Sequence, residues 1–306
     1  MDKYLKNKKY AIFISLFCML LWGSAIPMIK SLYTMLEIAP DDTGSKILIA
    51  GLRFFIAGIL TIIYYYLFSD EKIRKKDINF RFIILMAIVQ ITLQYIFYYI
   101  GLSNTLGVKA SIIQASNAFI IVVLSAVLMK NDPLTKKKII SLILGTVGVI
   151  VVNFNSSSSG LSFTFSGEGA IIISTTLNAL GTVLVKKYGQ KQNSFVISIG
   201  QFIIGSVPII ILGLYLHKAP LNFTVNSFLL LVYGSFISAT AFTLWYMVLK
   251  YQKSGEFGIY KLFIPIFGSL FSVIFLNEKF TVYLSAGMIL VIIGSLILNI
   301  KTKKVG

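Results

Sequence analysis

Acidic residues are scarce in this 306-residue chain. Only 11 Asp and Glu stand against 28 Lys and Arg, and charged residues make up 13% of the whole, against ~25% in an ordinary soluble domain. Hydrophobic residues reach 57% and the mean hydropathy is +0.85, so there is too little polar surface to cover the chain in water. A soluble globule and a disordered tail are therefore excluded. The single cysteine, Cys18, rules out an intramolecular disulfide and any multi-cysteine metal site; in its apolar run it reads as a small buried hydrophobe. The single histidine, His217, together with the lack of an HExxH helix, a Cys/His couple or a transmembrane aspartate pair, argues against an enzyme. No cofactor and no metal are expected.

What the chain does have is long apolar runs. Ten approach the ~20 residues that cross a bilayer: 11–33, 46–68, 80–101, 107–129, 137–154, 167–187, 194–216, 225–249, 256–276 and 282–300. The first follows Lys8 and Lys9 but holds Trp22 and Pro27 and lacks a small-residue cleavage site, so it reads as a mature helix rather than a signal peptide. When the connections are taken alternately, one side collects 21 of the 28 basic residues, from Lys3, Lys6, Lys8 and Lys9 through Lys72, Lys75, Lys76, Lys136 to Lys138 and Lys186 to Lys301, Lys303 and Lys304. The other side holds five: Lys30, Lys46, Lys109, Lys218 and Lys279. A split that follows every alternate loop is the positive-inside pattern. It predicts an all-α polytopic membrane protein with ten transmembrane helices and both termini in the cytoplasm, residing in the cell membrane. Basic residues spread over six short segments do not build a nucleic-acid groove, so the expected partners are the lipid bilayer and a small-molecule substrate. The sequence leaves the oligomeric state open, and a monomer is compatible with it. The sequons at Asn155-Ser156-Ser157 and Asn222-Phe223-Thr224 read as chance matches.

The chain also repeats itself. Val127 to Asn153 superposes on Val273 to Asn299 with a shift of 146, matching Asn131-Asp132 with Asn277-Glu278, Thr135 with Thr281, Gly148 with Gly294 and Asn153 with Asn299. Upstream, Tyr99 meets Tyr246, and Arg53 meets Gln201 after a one-residue slip. The expected organisation is a five-helix unit at 1–154, a linker at 155–166 and a second unit at 167–306. Five is odd, so the two units lie upside down relative to each other, and such inverted repeats place a site near the midplane and produce alternating access.

The segments LWGSAIPMIK at 21–30, LRFFIAGIL at 52–60, YYIGLSNTLGVKASI at 98–112, IPIFGSLFSVIFLNEKFT at 264–281 and the closing GMILVIIGSLILN resemble the EamA-type branch of the drug/metabolite transporter superfamily, over essentially the whole chain. The resemblance implies a ten-helix bundle that moves small metabolites, commonly amino acids or their relatives, across the cytoplasmic membrane and often outward. The chain departs from that family at Asn131-Asp132-Pro133, where a Gly-Glu followed by a basic residue is usual; the departure affects a loop more than the cavity.

Two cations lie inside the spans. Lys261 is eight residues beyond Lys253, ~12 Å along a helix and close to the midplane; the alternative is a lysine snorkelling to the interface. Arg53 is seven residues past Lys46, ~10 Å from the outer end, and reads as structural or gating, by snorkelling or by bonding backbone carbonyls. No carboxylate lies mid-span, since Glu168, Glu256 and Glu278 sit at helix ends and the other acids in loops or tails. Two cations without an acid favour an anionic or zwitterionic cargo. Ser111, Gln114 and Asn117 recur every three residues, and Gln90, Gln94 and Tyr98 every four, so each set shares a helix face. Either these amides are interhelical glue or they wall a polar cavity. With Thr243 nearby, the expected substrate-binding set is Trp22, Gln94, Tyr98, Gln114, Asn117, Asn178, Trp245, Tyr260 and Lys261. Pro27, Pro208 and Pro265 are expected to interrupt their helices, with Pro27 and Pro265, beside Gly23 and Gly268, as gating hinges. Carbonyls freed near Pro265 are expected to take a substrate ammonium while Lys261 takes the carboxylate. The function read from all this is a secondary transporter that exports small metabolites; a channel or facilitator, and an exporter of cationic or lipophilic drugs, stay open as alternatives.

Overall fold

A computed structural model describes residues 5–69, 73–74, 77–105, 107–153, 163–276 and 281–299, with the side chains at 107–109, 111–112, 152–153, 276 and 298–299 outside that description. The sequon at Asn155, most of the expected linker 155–166, the Asn277-Glu278-Lys279 segment, the basic residues Lys3, Lys72, Lys75, Lys76, Lys301, Lys303 and Lys304, and the side chains of Ser111 and Lys109 therefore lie outside the described residues.

The described residues form helices and no strand. They are α1 Lys8–Met35, α2 Thr43–Phe68, α3 Phe80–Asn104, α4 Gly107–Leu128, α5 Lys136–Asn153, α6 (a π-turn Phe165–Gly169 running into Ala170–Tyr188), α7 Ser194–Leu216, α8 Val225–Tyr251, α9 (Ser254–Phe257, Gly258–Leu262 and Phe263–Leu276) and α10 Val282–Asn299. Polar residues at the loop ends start them. Asp42 accepts from the Ser45 amide at 2.9 Å, Asn193 from Phe195 at 2.9 Å, and Thr224 pairs reciprocally with Ser227, each satisfying amides that the first turn leaves without a partner. Seven of the helices, α1, α2, α3, α6, α7, α8 and α9, are long and apolar enough to cross a membrane, and shorter apolar stretches occupy Ile113–Leu128 and Val282–Ile297. Large apolar side chains such as Phe13, Tyr66, Ile211, Tyr215 and Phe275 stand on the outside, while Gln90, Asn117, Gln201 and Lys261 are inside. This inversion of the water-soluble pattern marks a multi-pass membrane protein.

Without a hydrophobic force between helices in lipid, close approach depends on small residues. On α2, Gly44, Gly51 and Gly58 recur every seven residues along the seam with α7. A Cβ at Gly44 would sit 2.1 Å from the Leu216 carbonyl carbon, and one at Gly213 would sit 2.5 Å from Leu48 Cα, so backbone meets backbone there. α5 packs along α10; α1 lies against α8 and α9, α6 against α3 and α4, and α8 and α3 reach α2 and α7 respectively.

The loops group into two ends by their own hydrogen bonds. At the end carrying Leu5, Gln192 bridges Asp77 and Asn79, Gln252 donates to the Leu5 carbonyl at 2.7 Å, and Lys186 donates to the Leu249 carbonyl at 2.9 Å. At the opposite end Lys218 pairs with Asp41 and its amide donates to Asp42, while Thr105 donates to Glu168 at 2.6 Å.

Two of the three expected proline interruptions do not occur. α1 and α7 run unbroken through Pro27 and Pro208, because a membrane helix can absorb one missing amide through its neighbours. At Pro265 the expectation holds in another form: the backbone tightens into the 3-10 segment Gly258–Leu262 and resumes as α-helix at Phe263. Pro265 thereby falls in a first turn, where its missing N–H costs nothing.

Candidate functional site

The 3-10 segment of α9 carries Lys261 into the middle of the bundle, 7% exposed. Its Nζ donates to Asn178 Oδ1 at 2.6 Å and to Thr182 Oγ1 at 3.0 Å, both on α6. Thr182 in turn donates back to the Asn178 carbonyl at 3.1 Å, which leaves its lone pairs for the ammonium. The same Nζ lies 5.6 Å from the ring centres of Trp22 on α1 and Trp245 on α8, and the two indoles meet edge to face at 6.1 Å. Lys261 is thus held by neutral acceptors and two π faces, the latter worth ~2 kcal/mol when desolvated, and it does not snorkel.

An amide relay extends from it. Asn117 on α4 donates to Asn178 Oδ1 at 3.1 Å and to the Thr175 carbonyl at 2.9 Å; Asn178 donates to Gln94 Oε1 at 3.1 Å, which also accepts from Gln90 at 3.0 Å. α3 changes to a π-helix over Ala87–Leu93, and this extra residue in the turn, a feature often met at functional sites, sets Gln90 and Gln94 toward α6. Gly181 makes room for them: a Cβ there would lie 1.5 Å from Gln90 Oε1. Around this relay Gln90 Oε1, Asn117 Oδ1, Thr175 Oγ1 and Trp245 Nε1 are buried without a hydrogen-bond partner. Orphaned polar atoms are rare in native interiors, and a cluster of them beside a buried ammonium has the composition of a site awaiting a ligand.

Of the nine expected binding residues, Trp22, Gln94, Asn117, Asn178, Trp245 and Lys261 come together here. Tyr98 and Gln114 adjoin across α3 and α4 and keep surface accessible. Tyr260 packs between Phe257 and Phe263 at 5.5 and 6.4 Å, since neighbouring residues on a tight helix point in different directions. The Pro265 carbonyl accepts from Ser269 at 2.9 Å. Thr182 and Thr175 were missed, although both lie one turn from Asn178 on its own face of α6. Arg53, 5% exposed, stacks over Phe54 and Tyr95 at 4.6 and 5.7 Å instead of reaching an interface.

Toward the end that carries Leu5, polar contacts join α4, α5 and α9. Asp132, following α4, accepts from the Gly255 amide of α9 at 2.7 Å and pairs with Lys138 of α5, with both charged groups buried. Lys138 also donates to the Pro133 carbonyl at 2.8 Å, and Ser125 bonds Ser254 at 2.9 Å. A Cβ at Gly255 would lie 2.9 Å from Asp132 Oδ2, so glycine is what lets the carboxylate reach the backbone.

The model of the EamA-like transporter family matches this sequence twice, over residues 9–154 and 165–300. The chain belongs to the EamA-like transporter family. Among its relatives, the uncharacterized transporter YvbV of Bacillus subtilis is 28% identical over 98% of this chain and 95% of its own length. An uncharacterized transporter of Archaeoglobus fulgidus is 24% identical over 89% of this chain and 92% of its own. The WAT1-related protein At3g02690 of Arabidopsis thaliana, described as chloroplastic, is 25% identical over 91% of this chain and 66% of its own. One solved crystal structure superposes with a TM-score of 0.77 at 16% identity, covering 94% of this chain and 98% of that one; the likeness is one of fold. Family and relatives make this EamA-like chain a transporter.

Proposed function

We propose that this protein is a ten-span secondary transporter of the cell membrane, built from two inverted five-helix repeats, that carries small anionic or zwitterionic metabolites outward by alternating access. The observation that carries the reading is the buried Lys261 ammonium between Asn178, Thr182, Trp22 and Trp245. An ion held only by neutral groups in low dielectric gains from a carboxylate, and the adjoining indoles suit an apolar side chain.

Several features support the repeats. The family match is double, and helix contacts are reciprocal when each helix is exchanged for the one five places on: α1 with α8 and α9 corresponds to α6 with α3 and α4. Thr135 caps Lys138 at 3.3 Å as Thr281 caps Leu284 at 3.2 Å, at the sequence shift of 146. Alternate loops bond to one another, in keeping with ten crossings, and the basic excess on the end carrying Leu5 favours the cytoplasm there. In this conformation the Asp132 contacts close the cytoplasmic side, while Tyr98 and Gln114 leave access from the outside.

The test is uptake of radiolabelled glutamate, alanine and tetramethylammonium into proteoliposomes. Saturable uptake with counterflow of an acidic or zwitterionic compound, abolished in Lys261→Gln, is expected. Currents beyond carrier turnover would make the protein a channel, and tighter binding of tetramethylammonium than of the amino acids would overturn the anionic assignment.

A further inference from the structure

Arg53 is the second cation inside the membrane, and it is held by the π faces of Phe54 and Tyr95 without a counter-ion among the described residues. Among the described residues no carboxylate pairs with it. Its Nε is buried and unbonded. The Tyr95 ring lies 5.7 Å from the guanidinium, the Tyr98 and Tyr99 rings stand 6.2 and 6.4 Å from that of Tyr95, and Tyr33 lies beside Tyr99. The Tyr33 hydroxyl is also buried and meets no partner at hydrogen-bonding geometry, although Tyr99 lies beside it.

Packing does not demand a cation at this place. The matching position of the second repeat is Gln201, fully buried, whose Oε1 accepts from Tyr246 at 2.8 Å; Tyr246 is the counterpart of Tyr99. The Gln201 Nε2 is buried without a partner, as the Arg53 Nε is, but the amide carries no charge, so the position does not require a cation for packing. A guanidinium with several phenolic O–H donors is the donor set that recognises an oxyanion.

The cluster also connects to the central site. Tyr98 adjoins Gln114, Gln114 shares a face of α4 with Asn117, and Asn117 bonds Asn178, which holds Lys261. Tyr33, Tyr95 and Tyr98 are only half-buried, while Arg53 is 5% exposed.

We infer that Arg53 with Tyr33, Tyr95, Tyr98 and Tyr99 forms a second anion station on the outer half of the transport route, taking the carboxylate, sulfonate or phosphate group of the cargo after it leaves Lys261. This rests on the anionic reading of the Lys261 site, but the two are separable. Equilibrium binding of radiolabelled sulfate to purified protein is measured for the wild type, Lys261→Gln, Arg53→Gln, Arg53→Lys and the double variant Arg53→Gln/Lys261→Gln. Two saturable sulfates are expected in the wild type, one in each single glutamine variant, a second weakened about tenfold in Arg53→Lys, and none in the double variant. Lys261→Gln leaves the Arg53 cluster untouched, so loss of all sulfate binding in that folded variant overturns the second station while sparing the Lys261 site. Unchanged stoichiometry in Lys261→Gln with one sulfate lost in Arg53→Gln overturns the Lys261 reading instead. Sulfate retained by the double variant overturns both.

Discussion

Replacing Asp132 with Asn removes the charge that ties three helices together at the end carrying Leu5. The Asp132 carboxylate faces Lys138 on one oxygen and the Gly255 amide on the other, 2.7 Å away. Breaking a buried pair by deleting one partner costs ~3–5 kcal/mol, because the remaining charge stays buried. Asn keeps an acceptor for Gly255, so the lower figure applies. The contact holds the start of α9 against α4 and α5, and under the proposed alternating access that arrangement belongs to the conformer closed at the end carrying Leu5. A loss of ~3 kcal/mol from one conformer raises the population of the other on the order of a hundredfold, at ~1.4 kcal/mol per tenfold. Cys18 is the reporter: it is the only cysteine, fully buried, and lies one turn from Trp22 on the same face of α1, toward the end carrying Leu5. Its alkylation by a maleimide accelerates about a hundredfold in Asp132→Asn. In Lys8→Gln, which removes a pair between a half-exposed Lys8 and a partly buried Glu256, worth ~1 kcal/mol, the acceleration stays under about tenfold. A Cys18 rate in folded Asp132→Asn equal to that of the wild type refutes the latch.

The chain has two tryptophans and both border Lys261, so intrinsic fluorescence reads that site; glutamate or alanine shifts the emission saturably, tetramethylammonium does not, and Lys261→Gln weakens the transition by about 10- to 100-fold, the ~1.5–3 kcal/mol of a charged hydrogen bond. Gly213→Ala forces a Cβ to within 2.5 Å of Leu48 Cα, costing ~1–3 kcal/mol of overpacking, seen as a lower melting temperature in detergent; an unchanged value contradicts the close seam of α2 and α7. At the α2 cap, burial pushes the Asp42 carboxyl up, but the hydroxyl and amide of Ser45 together with the amide and charge of Lys218 hold it below its ordinary 3.8. Its stabilisation is therefore present above about pH 4 and is lost as pH falls through the lowered value, so Asp42→Asn flattens the acid limb of a stability profile measured below pH 4, and an undiminished limb argues against it.

Much of the site was legible in the residues. Lys261 stood out as a cation far from any span end, the amides at Gln94 and Asn117 were visible by helical spacing, and Asn178 as a lone amide inside its span. The period of a helix says which side chains share a face but not which neighbour they meet. In lipid the outward face is as apolar as the core, so no hydrophobic stripe marks the inside. Tyr260, adjacent to Lys261 in sequence, could be assigned away from the relay only once the 3-10 turn was seen to aim it at Phe257 and Phe263. Asp132 and Lys138 read as loop charges because their burial depends on Gly255, more than a hundred residues away.

The sequence by itself determined that the chain lives in a membrane, where its apolar helices run, how its basic residues divide between alternate loops, and the family to which it is related. These follow from composition and local spacing, which need no knowledge of neighbours. Tertiary structure decided that Lys261 finds Asn178 and Thr182 between two indoles, that Arg53 faces tyrosines instead of an interface, and that Asp132 meets Lys138 and Gly255. Each depends on which helices come side by side, and that is set by glycine seams and by desolvated polar groups finding the few partners that satisfy them.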